Sequence, residues 1–348
     1  MGTSSRPFNI YSDMSSNPIS LLNGSTSRSL LRVPYDMIRP VYERTSFHRS
    51  VIDELDNNEL REAYAHCRVI TRSHAKTFYL STRFLPNEKQ RSIFAIYALC
   101  RYIDDIVDEA FDINHGHEIN ENEIHQFLDD LRNKLDRAYA TGVTESPILT
   151  AFADTLKIYH IPKELPLELL EGVCMDLNKN RFQTFDELYT YSYKVASVVG
   201  LMTSEVFGYK DPKALEYAID LGIAMQLTNI LRDINEDLAR GRIYLPLDEL
   251  KQFGVTEEDL FNRVSDEKFK ALIQFQIDRA RDYYEKADLG ISLLNSDSRL
   301  PVYLARMNYS RILDVIEKDI FQVFDRRAYL STSEKLAILP KAWISSMF

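Results

Sequence analysis

Two stretches of the chain set oxygen-bearing side chains at helical spacing among aliphatic neighbours. In Tyr97-Ala98-Leu99-Cys100-Arg101-Tyr102-Ile103-Asp104-Asp105-Ile106-Val107-Asp108-Glu109, Asp104 and Asp108 lie one turn apart, with Asp105 beside them. In Gln226-Leu227-Thr228-Asn229-Ile230-Leu231-Arg232-Asp233-Ile234-Asn235-Glu236-Asp237, the residues Asn229, Asp233 and Asp237 form a second stripe. A carboxylate held among Ile103, Val107, Leu231 and Ile234 is costly unless a cation pairs with it. Two such stripes facing each other would make an oxygen cage for hard divalent cations. Mg²⁺ is the expected occupant, because it is often shared between a few carboxylates and substrate phosphates.

Cationic and hydrogen-bonding groups accompany the acids. Tyr97 and Arg101 share the face of Asp104 and Asp108, Gln226 precedes Asn229 by one turn, and Arg232 adjoins Asp233. Arg240, Arg242 and Tyr244 follow, and upstream His74-Ala75-Lys76-Thr77-Phe78-Tyr79 brings an imidazole, an ammonium and a hydroxyl together. Such a mixture suits a polyanion bound through bridging metals and basic side chains. Phe78, Phe84, Phe94, Val195, Val198, Val199 and Met225 would suit a long hydrocarbon in the same cavity. Each feature also has a plainer reading. Either acidic string alone is most simply a solvated helix face; it is the pair, with Arg and Gln at matching turns, that argues for chemistry. His74 alone reads as a hydrogen-bonded structural residue, and His115-Gly116-His117 as a loop. Tyr191, Tyr193, Val195 and Gly200 read equally as core, and Ala196, Ser197 and Gly200 as close helix packing or a substrate surface.

The elements that must position these groups are helical. The 348 residues suffice for one large domain, and 45% hydrophobic with 27% charged residues is ordinary globular composition. Helical period is expected over residues 60–72, 88–109, 121–140, 146–157, 163–178, 186–208, 212–238, 257–293 (with a break), 300–323 and 332–346. No strand alternation or internal repeat appears, and 11 glycines are few for a sheet with many tight turns. An all-α single-domain bundle over residues 51–348, with ligands converging from facing helices, is the expected architecture. Residues 1–50, rich in Ser, Asn, Pro and Arg, read as a flexible extension. Asp13 and Asp36 weaken a transit-peptide reading, and Arg6 stands where a myristoylation pattern needs Ser or Thr. The net charge of -10 argues against generic nucleic-acid binding. Cys67, Cys100 and Cys174 form no paired motif and fit buried thiols in a reducing compartment. No apolar run approaches the roughly 18 residues needed to span a bilayer.

The two acidic segments resemble the paired aspartate-rich motifs of the squalene/phytoene synthases, and His74–Tyr79 resembles that family's first substrate motif. Met175-Asp176-Leu177-Asn178-Lys179-Asn180-Arg181, Phe185–Tyr189, Val195–Met202 and Arg240–Pro246 resemble phytoene synthases in particular. The likeness runs from about residue 58 to 345. It implies an isoprenoid-synthase fold with a central cavity. It also implies head-to-head condensation of two geranylgeranyl diphosphates to phytoene through a cyclopropylcarbinyl diphosphate, the first step of carotenoid biosynthesis. By that resemblance the metal ligands are Asp104, Asp108, Asn229, Asp233 and Asp237, with Asp105 completing the acidic rim. His74, Ala75, Lys76, Thr77, Tyr97, Arg101, Gln226, Arg232 and Tyr309 contact substrate. Ala75 stands where many members carry Ser, and Ser197 where Gly is common. The implied cofactor is Mg²⁺, with Mn²⁺ as a substitute and no NADPH for phytoene formation.

Two alternatives remain at this stage. One is a thirty-carbon synthase making dehydrosqualene or squalene from farnesyl diphosphate; the other is a catalytically silent assembly factor of the same superfamily. The expected location is cytoplasmic with peripheral membrane contact, or plastid if residues 1–50 are a transit peptide, alongside downstream carotenoid enzymes.

Overall fold

The computed structural model describes residues 51–112, 121–142 and 144–347; side chains of residues 106–112, 121–125, 127 and 178 are outside the description. His115–His117 and residues 1–50 therefore lie outside the described residues. All described elements belong to one compact unit, Ser50–Phe348. They are helices: α1 Asn58–His74, α2 Lys76–Thr82, α3 Asn87–Asp112, α4 Glu121–Thr141, α5 Pro147–Ile158, α6 Glu164–Asn178, α7 Phe185–Ser192, α8 Val198–Phe207, α9 Lys213–Ala239, α10 Leu247–Phe253, α11 Glu257–Phe261, α12 Glu267–Ile291, α13 Ser296–Lys318, α14 Thr332–Ala337 and α15 Leu339–Ser345. Two isolated bridges, Arg181 with Ile243 and Tyr209 with Leu294, are the extended pairings among the described residues.

Helix starts follow local chemistry. Asn57, Thr184 and Asp266 each accept a backbone N–H of the first turn, and Thr256/Asp259 and Ser331/Glu334 form reciprocal capping boxes. The break expected within residues 257–293 falls between α11 and α12, where Asp266 starts the longer helix. Three expectations change. Residues 76–82 and 247–253 form short helices that the period does not reveal. Residues 332–346 divide at Ile338, before Pro340, whose missing N–H suits a helix start. The stretch 186–208 is interrupted by a π turn at Tyr193–Ser197.

Packing explains that turn. A Cβ on Gly222 of α9 would overlap the Cα of Ser197, so the two backbones touch. The Ser197 hydroxyl donates to the Ile219 carbonyl at 2.8 Å, fastening the wide turn to α9. π turns of this kind cluster at functional sites. One apolar cluster joins α1, α3, α5 and α8, and a second joins α9, α12 and the 3₁₀ turn Ile320–Phe324. Tyr193, Val195 and Leu221 pack against both.

Candidate active site

A cavity of about 610 Å³ is lined by residues of both apolar clusters, within the size range of ordinary ligand sites. Three helices are graded along it. On α9 the lining runs Ala214, Tyr217, Ala218, Leu221, Gly222, Met225, Gln226, Asn229, Arg232, which is one helical face turning polar only in its later turns. On α3 it runs Tyr97, Cys100, Arg101, Asp104, and on α13 Pro301, Val302, Ala305, Tyr309. One end of the cavity is therefore apolar and the other carries the acids, Arg101, Arg232 and Tyr309.

Of the residues singled out from sequence, His74, Ala75, Tyr97, Arg101, Asp104, Gln226, Asn229, Arg232 and Tyr309 line this one cavity. Lys76, Thr77, Asp105, Asp233 and Asp237 are not part of its lining, and the side chain of Asp108 lies outside the description. Of the apolar set, Phe78, Val195, Val199 and Met225 line it. Phe84, Phe94 and Val198 do not: Phe84 is exposed, Phe94 stacks on Tyr79 with centroids 5.6 Å apart, and Val198 is fully buried in the core. Ala196 and Gly200 also line the cavity, so these small residues serve both helix packing and the cavity wall.

The polar end is electrostatically incomplete in two complementary ways. The Oδ1 of Asn229 is buried without a hydrogen-bond partner, and so is the Nε of Arg101. An orphaned acceptor fits a cation and an orphaned donor fits an anion. Nδ2 of Asn229 donates to Gln226 at 3.3 Å, which leaves Oδ1 as its available ligand atom. Arg101 forms an ion pair with Asp105 one turn on. Asp233 is gripped by two guanidinium groups. Arg232 Nε and a terminal nitrogen lie 2.8 and 2.6 Å from its oxygens, and Arg327 Nε lies 2.8 Å away. Among the described residues no three His, Cys, Asp or Glu side chains form a ready metal group. Of the three expected to converge on one cavity, Asp104 and Asn229 line it, while Asp233 is paired with Arg232 and Arg327 and is not part of the lining.

Burial shapes the protonation of the cluster. Asp237 is pushed up to about 7, chiefly by burial and then by the charge of Asp233, against the opposing pull of Arg242. Burial likewise pushes up the Tyr97 phenol, with Tyr309 adding to it, and the Cys100 thiol, with Asp104 adding to it. A stability consequence follows from Asp237. Its carboxyl is easier to protonate folded than unfolded, so folding is favoured below about pH 4 and loses that advantage as pH rises to about 7. Metal-free Asp237→Asn is expected to be more stable to unfolding than wild type at pH 8, by on the order of 1–3 kcal/mol. The gap should close toward pH 4; a gap independent of pH in calorimetry would contradict it.

Sequence reasoning missed two cavity residues. Asp176 on α6 accepts hydrogen bonds from the hydroxyls of Tyr191 at 2.9 Å and Tyr244 at 2.8 Å. It stands in the segment Met175–Arg181 that carries part of the family resemblance, but nothing there marks its own role, because its partners are 15 and 68 residues away. Arg327 comes from the irregular segment after Ile320–Phe324, where no period exists to mark it.

The sequence matches the squalene/phytoene synthase family over residues 71–334. The chain belongs to that family. Every cavity residue discussed lies within the matched span. Among squalene/phytoene synthases, the 15-cis-phytoene synthase of Synechococcus elongatus is 45% identical over 299 residues, covering 82% of this chain and 94% of that protein. The 15-cis-phytoene synthase of Synechocystis is 44% identical over 297 residues, covering 82% and 86%. Of solved family structures, a dehydrosqualene synthase in complex with ligand superposes with a TM-score of 0.74 at 29% identity, covering 82% of this chain and 97% of that one. The fold is the all-α isoprenoid-synthase bundle expected from sequence, and the chain is a prenyltransferase-type enzyme.

Proposed function

We propose that residues 51–348 join two geranylgeranyl diphosphates head to head, releasing diphosphate and yielding 15-cis-phytoene. One observation carries the reading: a single cavity is apolar over most of its length and ends in a buried guanidinium Nε (Arg101) and a buried amide oxygen (Asn229), two atoms without hydrogen-bond partners. That is the shape of an amphiphile with a hydrocarbon tail and a polyanionic head. Relatives bearing the phytoene synthase name at 44–45% identity favour it over the thirty-carbon reading, whose structural relative stands at 29%.

Asp104 and Asn229, with Asp233 once its arginines move, are the residues that would hold Mg²⁺ or Mn²⁺, with Asp108 and Asp237 alongside. When bound, such a cation neutralises the departing diphosphate. The chain's own groups do the rest. Arg101, Arg232 and Arg327 offer fixed positive charge to the diphosphate oxygens, with Tyr97, Tyr309 and Gln226 as neutral donors. Val195, Val199, Leu221, Ile291 and Val302 keep water from the allylic cation left behind. The double bond of the second substrate attacks that cation, and loss of a proton beside the new bond closes the ring to give cyclopropylcarbinyl diphosphate. This ionises again with release of the second diphosphate, rearranges and loses a second proton. Asp176, held between two tyrosine hydroxyls, adds a cavity-wall carboxylate from α6, and its charge acts on Asp237 of the α9 stripe. Because the product is a water-insoluble hydrocarbon and no helix among the described residues is long and apolar enough to cross a membrane, product leaves by peripheral contact with a bilayer.

Chain length is set at the apolar end. Ser81 and Thr82 are buried and line the cavity, with the Thr82 hydroxyl donating back to the Tyr79 carbonyl at 2.8 Å. Thr82 thus both closes α2 and forms wall. Each added buried CH₂ is worth roughly 0.8 kcal/mol, so five carbons discriminate strongly where they fit. In direct competition with Mg²⁺, with and without NADPH, the wild type should consume geranylgeranyl diphosphate over farnesyl diphosphate and form phytoene. Thr82→Phe should move the ratio toward farnesyl diphosphate by about tenfold or more. A wild type that prefers farnesyl diphosphate would replace this assignment by the thirty-carbon one.

A further inference from the structure

The last two helices carry an apolar stripe that the fold leaves uncovered. From Leu336 onward, Leu336, Pro340, Trp343, Ile344 and Met347 are exposed at one helical face, while Ile338 and Ala342 on the opposite face are buried with Leu304. Leu336 is 49% exposed, Trp343 54%, Ile344 55% and Met347 56%. The turn at Ile338 keeps right-handed helical angles, so α14 and α15 act as one amphipathic segment.

The surroundings of the stripe are basic. Residues 326–348 carry Arg326, Arg327, Lys335 and Lys341 against Glu334, a net +3 (four minus one) in a chain of net -10. Beside the stripe, a polar cavity of about 470 Å³ gathers Arg281, Arg306, Arg311 and Lys341 with Glu285 and Asp314. Arg281 is satisfied by Asp314 and Glu317, and Arg306 by Asp288. Arg311 and Lys341 make no hydrogen bond or ion pair among the described residues, and Glu334 and Asp288 act on them only through space. The stripe also adjoins the catalytic cavity. Lys335 of α14 feels the charge of Lys76, which follows the cavity residues His74 and Ala75, and Arg327 just upstream grips Asp233.

We propose that this stripe seats the enzyme on an anionic bilayer, with Trp343, Ile344 and Met347 in the headgroup–acyl boundary and Arg311 and Lys341 against lipid phosphates. The inference rests on the reading that the product is a hydrocarbon delivered into lipid. A second copy of the chain fits the stripe less well. Five exposed apolar side chains are far fewer than the roughly 20–30 residues a side of a stable interface. Face-to-face pairing would also bring Lys335, Lys341 and Arg311 of both copies together, and like charges oppose association. An amphipathic stripe with flanking basic groups is the composition that binds lipid surfaces reversibly.

Trp343 is the one tryptophan in the sequence, so its fluorescence reports on the stripe alone. The full chain is mixed with phosphatidylcholine vesicles with or without phosphatidylglycerol. Blue-shifted emission and co-sedimentation are expected with the anionic vesicles. Trp343→Ser with Ile344→Ser, and separately Arg311→Glu with Lys341→Glu, should each weaken sedimentation by about tenfold or more. Turnover in detergent micelles should stay at the wild-type rate, which also establishes that the variants fold. Should the apolar pair fail to fold, the charge-reversed pair and the wild-type emission decide the matter. If both variants bind vesicles as well as wild type does, the docking surface lies elsewhere and this inference is overturned while the phytoene reading stands. A blue shift that needs no vesicles and tracks dimer formation overturns it in favour of a second copy. If instead the hydrocarbon assay returns no phytoene, it is the reading beneath the inference that fails.

Discussion

Asp104→Asn is expected to lower turnover by on the order of 10²–10³ or more while leaving the fold intact. Asp104 shares the cavity wall with Asn229, and its charge acts on Tyr97, Cys100 and Arg101. On the proposed reading, the substitution takes the negative charge from an oxygen ligand for a divalent cation and removes little packing, because Asn keeps the shape. Asp233→Asn tests the same role less cleanly. It would leave Arg232 and Arg327 facing each other without their shared carboxylate, so melting temperature should fall along with rate. Comparing the two variants by calorimetry and by steady-state rate separates ligand loss from unfolding. Enzyme stripped with EDTA that retains full activity would sink the metal role for both.

Arg101→Ala is expected to cut kcat/KM by on the order of 10²–10³, and Arg101→Lys should recover only part of it. The Nε of Arg101 is buried without a partner at the cavity wall, while its terminal nitrogen is committed to Asp105. Lysine cannot present both functions at once, because it offers one compact charge where the guanidinium offers a fork. The fall should appear in kcat as well as KM if the contact strengthens as diphosphate departs. Wild-type kinetics for Arg101→Ala would remove this residue from leaving-group binding.

What the sequence disclosed, and what it hid, divides along physical lines. The long amphipathic helices were legible because their period persists over many turns: α3 was expected at 88–109 and spans Asn87–Asp112, and α9 was expected at 212–238 and spans Lys213–Ala239. Spacing alone placed Tyr97, Arg101 and Asp104 on one wall, since residues three and four apart share a helix face. The seven-residue α10 was missed because two turns are too few to establish a period, whereas the helical placement of Phe78, Ser81 and Thr82 agrees with α2. The π turn at Tyr193–Ser197 was invisible because a contact with Gly222, 25 residues on from Ser197, accompanies it. Phe94 and Phe78 could not be told apart, since an aromatic ring suits a core and a hydrocarbon wall equally; only tertiary packing sends one to Tyr79 and the other to the cavity. The grip of Arg232 and Arg327 on Asp233 was hidden for a different reason. A stripe read as free acids recruits whatever cations the folded chain brings near, and Arg327 arrives from 94 residues away.

The grading of α9 makes residue number a measure of depth. From Ala214 to Asn229 the wall descends one continuous helix, and at 1.5 Å per residue that span is about 22 Å. Each turn along it is a fixed graduation of about 5.4 Å, marked by whichever side chain stands there. An aromatic ring placed at Leu221 would shorten the scale toward its polar end, and a bulky residue at Ala218 or Ala214 would shorten it progressively less. On the proposed reading, substrate length in such a cavity can be retuned by moving a single obstruction along one helix, without altering the polar groups at its other end.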